Sequence, residues 1–177
     1  MIFRKATEKD IEKVAEVYAD IHTCEEKGIT CCGWTRGVYP SIEVARKSFE
    51  RDDLFVCELD GEIVGTAIIN KIQLEEYKSA PWLYEADDDR VMVLHTFAIS
   101  SKAARKGLGR KFVEFYEQYA LSEGCSVLRM DTSYKNSIAR AMYKKLGYRE
   151  ADIVDCTFNG MPGVRLVLLE KKLSLLH

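Results

Sequence analysis

The residues best placed to do chemistry lie in one short run, Ala104-Arg105-Lys106-Gly107-Leu108-Gly109-Arg110-Lys111. Two glycines one residue apart let backbone amides approach a ligand with no Cβ in the way. Arg105, Lys106, Arg110 and Lys111 put four cations into eight residues of a chain whose net charge is −2. The run follows an apolar segment and opens an amphipathic one. Its amides therefore fall at a helix start, where unpaired N–H groups and the positive end of the helix dipole favour anions. Together these features suit a pyrophosphate. A Walker loop would need GxxxxGK[ST], which the chain lacks. A dinucleotide fingerprint would place a third glycine where Phe112 stands, and residues 100–106 are too long for its tight turn, although Asp131 does end the following strand.

The elements that must position this run are legible from periodicity. Ile2–Ala6 reads as a strand, and Thr7 with Asp10 reads as the capping box of a helix carrying Ile11, Val14, Ala15, Tyr18 and Ile21 on one face. Glu25–Pro40 is a long irregular connection with Trp34 and Tyr39, of a length that often carries function. A second helix begins at Pro40-Ser41 and carries Val44, Ala45, Ser48 and Phe49. Leu54–Leu59 and Glu62–Asn70 form a hairpin about Asp60-Gly61. Glu75–Arg90 is polar and acidic. Val91–Ile99 is apolar on both faces, as a central strand is. Gly107–Glu123 is a helix with Leu108, Phe112, Phe115, Tyr116 and Tyr119 on one side, ended by Gly124. Val127–Met130 is a buried strand, and Asn136–Leu146 is a helix closed by Gly147. Tyr148–Asp155 and Val164–Lys171 are final strands about a turn spanning Asn159–Gly163. This order predicts a single α/β domain over residues 1–177, with antiparallel and parallel strand pairs.

Composition narrows the partners. The chain has 177 residues, 47% of them hydrophobic and 31% charged, which is a globular balance. A net charge of −2 argues against a nucleic-acid partner. No apolar run is long enough for a bilayer, and MIFRKATEKD lacks the apolar core of a signal peptide. Cys24, Cys31, Cys32, Cys57, Cys125 and Cys156 show no zinc spacing. The expectation is reduced thiols in the cytoplasm, with no metal.

Two motifs in order carry a family likeness: Gly107 and Gly109, and the run Asn136-Ser137-Ile138-Ala139-Arg140-Ala141-Met142-Tyr143-Lys144-Lys145-Leu146-Gly147-Tyr148. The chain resembles the GNAT superfamily of N-acetyltransferases. Its pyrophosphate motif is [QR]xxGx[GA], matched at both glycines, with Ala104 in the first position and Arg105 and Lys106 supplying charge nearby. The second run is similar to N-x-x-A-x-x-x-Y-x-x-x-G-[FY]. The opening strand-then-helix and the hairpin followed by Ile63-Val64-Gly65 fit as well, so the resemblance covers nearly the whole chain.

That resemblance implies a GNAT-like mixed, mostly antiparallel sheet flanked by helices, with a splayed central strand pair holding acetyl-CoA as acetyl donor. It implies that backbone groups of Phe97, Ala98 and Ile99 pair with the pantetheine arm like an added strand. The amides of Lys106, Gly107, Leu108, Gly109, Arg110 and Lys111 would hold the pyrophosphate. Arg105, Lys106 or Lys111 would reach the 3′-phosphate. Asn136 would hydrogen-bond the pantetheine, and Ala139 and Met142 would pack beside it. Tyr143 falls at the family's catalytic tyrosine; a phenol of pKa about 10 is protonated at neutral pH and can donate to the leaving sulfur. The attacking amine must be the free base, and stripping a proton from an amine of pKa about 10.4 costs roughly 4–5 kcal/mol at pH 7. His95, the histidine on the central strand, is the candidate base, with a water chain as the other route; His22 and His177 invite no role.

The function expected is transfer of an acetyl group to a primary amine, on a small molecule or a peptide, by direct attack. The alternative is a non-catalytic acyl-CoA-binding regulatory module; a nicotinamide oxidoreductase would bind NAD(P)H without competition from CoA. A homodimer is compatible with the family. Glu25–Pro40 and Glu75–Arg90 are expected to shape the acceptor pocket. In the second of these, Glu85-Ala86-Asp87-Asp88-Asp89 with Trp82 and Tyr84 points to a cationic acceptor, unless it is simply a solvated acidic loop.

Overall fold

The computed structural model describes residues 1–174; His177 lies outside them. Seven strands form one sheet in the order β1-β2-β3-β4-β5-β7-β6. They are β1 (Ile2–Lys5), β2 (Leu54–Leu59), β3 (Glu62–Asn70), β4 (Val91–Ile99), β5 (Val127–Ser133), β6 (Arg149–Phe158) and β7 (Met161–Lys172). The helices are α1 (Ile11–Glu26), α2 (Ile42–Glu50), α3 (Leu108–Ser122) and α4 (Ser137–Lys145). Every neighbouring pair is antiparallel except β4 and β5, which run parallel. This is the mixed, mostly antiparallel α/β sheet expected.

Strand alternation sends neighbouring residues to opposite sides. Phe55, Ala67, Met92, Leu94, Leu128 and Met130 pack with Phe112, Val113 and Tyr116 of α3 and Tyr143 of α4. On the other face, Leu54, Val56 and Ile68 pack with Ile11, Val14 and Tyr18 of α1 and Ala45 of α2. Further along that face, Val91, Val93, Val127 and Leu168 pack beneath Tyr77. The sheet is thus buried on both sides at its centre, where Val91–Leu94 of β4 form a continuous apolar run.

Local signals set the element ends. Asp10 accepts hydrogen bonds from the Thr7 backbone N–H at 2.7 Å and the Thr7 hydroxyl at 2.8 Å, and it also pairs with Arg4 at 2.7 Å. Gly124 and Gly147 follow α3 and α4 with φ of +75° and +86°, the left-handed conformation that stops a helix. Two differences from the expected boundaries bear on the site. β5 continues past Met130 to Ser133, because Asp131, Thr132 and Ser133 still pair with Leu168, Val167 and Leu166 of β7. The five-residue turn expected at Asn159–Gly163 is a two-residue one: Asn159 and Gly160 have φ of +49° and +77°, and Met161 already pairs with Phe158. Pro162 is tolerated in β7 because it lies beyond Leu166, the last residue there to pair with β5.

Tyr116, fully buried on α3, ties the parallel pair together: its hydroxyl lies 2.7 Å from the Met92 carbonyl of β4 and 3.3 Å from the Arg129 carbonyl of β5. Tyr116→Phe removes this buried donor and is expected to destabilise the chain by about 1–2 kcal/mol. Chemical denaturation checks this, and an unchanged midpoint would show the bridge to be dispensable.

Candidate active site

The parallel pair is short. Val91 to Leu94 pair with Val127 to Met130, and there the ladder stops. The cause lies in β4. Opposite Ala67, two residues, Thr96 and Phe97, occupy the space of one, and Thr96 takes a left-handed φ of +48°. A bulge of this kind bends its strand. A β-branched residue there is strained and must be held; the Tyr39 hydroxyl bonds the Thr96 hydroxyl. β5 meanwhile stays with β7, so the two central strands part and leave backbone edges free on either side.

A cleft of about 350 Å³ passes through this opening. On the α3/α4 side it is lined by Phe97, Gly109, Asn136, Ala139, Met142 and Tyr143. On the other side its wall is Cys32, Trp34 and Tyr39 from the connection between α1 and α2, Leu74, Asp131, and Phe158 and Met161 from the β6–β7 hairpin. Ala98, Ile99 and His95 of β4 also line it.

The glycine run sits at the α3/α4 side. Asp20 of α1 accepts from the Ser100 hydroxyl at 2.9 Å, the Ser101 amide at 2.6 Å and the Ser101 hydroxyl at 2.8 Å, which fixes the chain leaving β4. Arg105 and Gly107 then take φ of +65° and +71°. The first helical bond of α3 is Lys111 N–H to the Gly107 carbonyl. Among the described residues, the amides of residues 105–110 have no hydrogen-bond partner. Six free donors around two left-handed turns make a concave anion site. Leu108 contributes only its amide, since its side chain is buried in the core. Arg110 pairs with Glu114 at 2.8 Å, whereas Arg105, Lys106 and Lys111 have no ion-pair partner among the described residues. A Cβ on Gly109 would lie 3.4 Å from Met142 Sδ and 3.9 Å from Phe97 Cζ.

Asn136 caps α4: its Oδ1 accepts from the Ala139 amide at 3.1 Å, leaving the Nδ2 group to face a ligand. Tyr143 is 4% exposed, and its hydroxyl has no hydrogen-bond partner among the described residues. Burial, reinforced by the charge of Asp131, pushes its pKa well above that of a free phenol, so it stays protonated. His95 is held at Nε2, which lies 3.1 Å from both Asn70 Oδ1 and the Ile72 carbonyl. Both partners are acceptors, so Nε2 carries the proton. Burial pushes the imidazole down to about 4, which makes it a weak proton acceptor at neutral pH.

Two features escaped sequence reasoning. In the sequence Asp131 is only the acid ending a strand, yet it stands where the strands part. Burial pushes its pKa up to about 6, against the opposing effect of a 2.8 Å hydrogen bond from Tyr77. An acid directly after the buried strand segment Val127–Met130 is the available signal. The Thr96 bulge left no signal, because threonine is an ordinary strand residue. The connection at residues 25–40 lines the cleft, as expected; no residue of 75–90 lines it, and that segment touches the cleft through the Tyr77 bond to Asp131. Trp82 there lies over the Arg129 guanidinium at 4.3 Å and donates to the Tyr77 carbonyl, and the amides of Leu83 and Tyr84 donate to the buried Glu170. The acidic residues 85–89 stand at the start of β4, while the cleft opens towards its other end, and none of them lines it. His22, which invited no role, is buried in α1 with Nε2 3.0 Å from the Pro40 carbonyl.

A sheet parted between parallel strands, with a nest of free amides beside the gap, defines an α/β domain built to hold a pyrophosphate-bearing ligand across the opening. Residues 14–148 match the model of the Acetyltransferase (GNAT) family, and the chain belongs to that family. Its members draw an acetyl group from acetyl-CoA. An uncharacterised N-acetyltransferase of Methanocaldococcus jannaschii is 22% identical over 157 residues, 85% of this chain, and the chain spans 62% of that relative's length. The ribosomal-protein-alanine N-acetyltransferase of Brucella melitensis superposes with a TM-score of 0.73 at 18% identity, covering 98% of this chain and 100% of that one. The acetyltransferase yncA of Salmonella typhimurium, described with its cofactor acetyl-CoA, superposes with a TM-score of 0.69 at 16% identity, covering 100% and 96%. At these identities the two structures share the fold.

Gly109→Val would drive methyl groups between Met142 and Phe97, into the cleft rather than the core. Acetyl-CoA affinity measured by calorimetry is expected to fall by about tenfold or more, a loss of at least about 1.4 kcal/mol, with the melting temperature of the free protein little changed. Unaltered affinity would place the cradle elsewhere.

Proposed function

We propose that this chain transfers an acetyl group from acetyl-CoA directly to a primary amine, with Tyr143 as the acid that protonates the leaving sulfur. The observation that carries this reading is the pairing of a free amide cradle with an unpartnered, protonated phenol on the same side of an open strand pair. The amides of Lys106–Arg110 would take the pyrophosphate; that of Lys111, expected to join them, is instead bonded to the Gly107 carbonyl. Arg105, Lys106 and Lys111 are the cations free to meet the 3′-phosphate. The exposed backbone edge of Phe97, Ala98 and Ile99 would take the pantetheine arm as an added strand, which aims the thioester into the gap. Asn136 Nδ2 would bond that arm, and Ala139 and Met142 would wall it.

Holding the amine against the thioester carbonyl then supplies much of the rate enhancement, since a fixed approach removes the entropy of a bimolecular encounter. Tyr143 is suited to the collapse of the intermediate because burial keeps its proton on until a thiolate develops beside it. His95, held at Nε2 and only weakly basic, is assigned to the wall of the cleft. Six unbridged cysteines fit a reducing compartment, and we place the chain in the cytoplasm. No helix among the described residues is long and apolar enough to cross a membrane.

Two measurements test the proposal. Saturating acetyl-CoA is expected to raise the melting temperature, by mass action on the folded state, and adenosine without the pyrophosphate is expected to raise it much less. Tyr143→Phe is expected to keep that shift and to lower kcat by about 10²-fold or more. A melting shift without thiol release from any amine would favour the non-catalytic module, and full kcat in the variant would leave Tyr143 as packing.

A further inference from the structure

Thr96 carries the bend that opens the sheet, and its residue type is ill suited to the task. Its φ of +48° is the left-handed conformation that glycine takes freely and a β-branched side chain resists. The extra residue itself is fixed by the strand pairing. On one side His95 pairs with Ile68 of β3, and on the other Ala98 pairs with Thr66, which leaves Thr96 and Phe97 together opposite Ala67. The pairing does not decide which of the two takes the left-handed turn. A turn at Phe97 would satisfy the same count and would aim the backbone entering Ala98 and Ile99 differently.

The choice is made from outside the sheet. Among the described residues, the Thr96 hydroxyl has one side-chain partner, the hydroxyl of Tyr39. Tyr39 is itself firmly placed. Its amide donates to the Thr35 carbonyl at 3.0 Å, and its carbonyl accepts from the Thr35 amide at 3.2 Å. Its ring meets Trp34 nearly at right angles with centroids 6.4 Å apart, and Trp34 meets Tyr18 of α1 in the same way at 5.9 Å. The carbonyl of the next residue, Pro40, lies 3.0 Å from His22 Nε2 of α1. A strained residue persists where its surroundings over-determine it, and these contacts supply that restraint.

We propose that Tyr39 is a positioning residue for the donor: its hydroxyl fixes the bulge at Thr96 and so sets the backbone edge of Phe97, Ala98 and Ile99 that takes the pantetheine arm. This rests on the acetyl-CoA reading above. With the bulge at Thr96, the Phe97 ring packs on Phe112 of α3 at 5.2 Å and stands beside Gly109. Tyr39 lines the opposite side of the opening from the amide cradle, so its effect on the donor passes through Thr96. One pair of hydroxyls thus ties the connection that walls the acceptor side to the strand that holds the donor.

The test separates the pantetheine arm from the nucleotide end. Calorimetry measures binding of CoA and of adenosine 3′-phosphate 5′-diphosphate, which has the pyrophosphate but no arm. Tyr39→Phe keeps the ring and loses the hydroxyl. Its CoA affinity is expected to fall about fivefold, the factor of one neutral hydrogen bond, with affinity for the armless probe unchanged. Thr96→Val, which leaves Tyr39 intact, is expected to show the same split, and combining the two changes is expected to add little. Glycine at position 96 takes the left-handed turn unaided, so Tyr39→Phe/Thr96→Gly is expected to recover most of the lost CoA affinity. A second readout needs no ligand: the backbone amide resonances of residues 97–99 are expected to move in Tyr39→Phe and in Thr96→Val. Full CoA affinity in Tyr39→Phe, or unmoved resonances, overturns the proposal. A double variant no better than Tyr39→Phe also overturns it, because the hydroxyl would then act other than through the bulge. Equal losses for both probes overturn it as well, since they mark a general loosening of the fold. A wild type that binds neither probe sinks the acetyl-CoA reading, and this proposal with it.

Discussion

Everything at the site depends on the early end of the β4–β5 ladder. Four residue pairs hold the parallel strands together, and Tyr116 bridges their carbonyls from below. Beyond Leu94 a bulge bends one strand while pairing with β7 keeps the other in line. A sheet opened at its middle is costly, because backbone groups that would bond one another are left to find other partners. Those same groups are what an extended ligand arm can use. The opening also connects the two faces of the sheet, so a donor bound beside α3 and α4 can meet an acceptor entering from the α1–α2 side.

Burial acts on the ionisable groups of the cleft in a consistent direction, favouring the neutral form of each, but with different chemical results. Tyr143 is made a firmer acid-form phenol, and His95 a weaker base. Asp131 is brought to about 6, where it can be ionised at neutral pH and still hold a proton briefly. Tyr77 limits how far that shift goes, since its hydrogen bond favours the ionised carboxylate. A carboxyl whose pKa is raised on folding lends stability below its unfolded pKa, and this is lost as pH rises through about 6. The chain therefore carries a buried charge at neutral pH that folding does not favour.

The surrounding loops are held by internal acids rather than by sheet or helix. Asp20 fixes the chain leading to the amide cradle. Glu25 accepts from the amides of Cys32 and Gly33 at 2.9 and 3.0 Å and so shapes the wall beside Trp34. Glu170, fully buried, accepts from Leu83 and Tyr84 and pairs with Arg149. Each carboxylate satisfies amides that a non-repetitive segment would otherwise leave bare, which is how irregular chain stays ordered next to a site that must keep its shape.

The sequence by itself determined the elements and the cradle. Period-two and helical patterns, glycine stops after α3 and α4, and the Asp60-Gly61 and Asn159-Gly160 turns are local effects, set by residues close to one another in the chain. The Gly107–Gly109 run belongs with them, because its free amides follow from starting a helix there. Tertiary structure alone decided where the strands part, which loop lines the cleft and how burial shifts His95 and Asp131. The bulge at Thr96 depends on a partner strand and on Tyr39, fifty-seven positions away. His95 and Asp131 are both polar residues in or beside apolar strands, and nothing local distinguishes them. Their different chemistry comes from the depth at which each is buried and from the neighbours that meet it there, Asn70 and Ile72 for one and Tyr77 for the other. Those neighbours become neighbours only when the chain has folded.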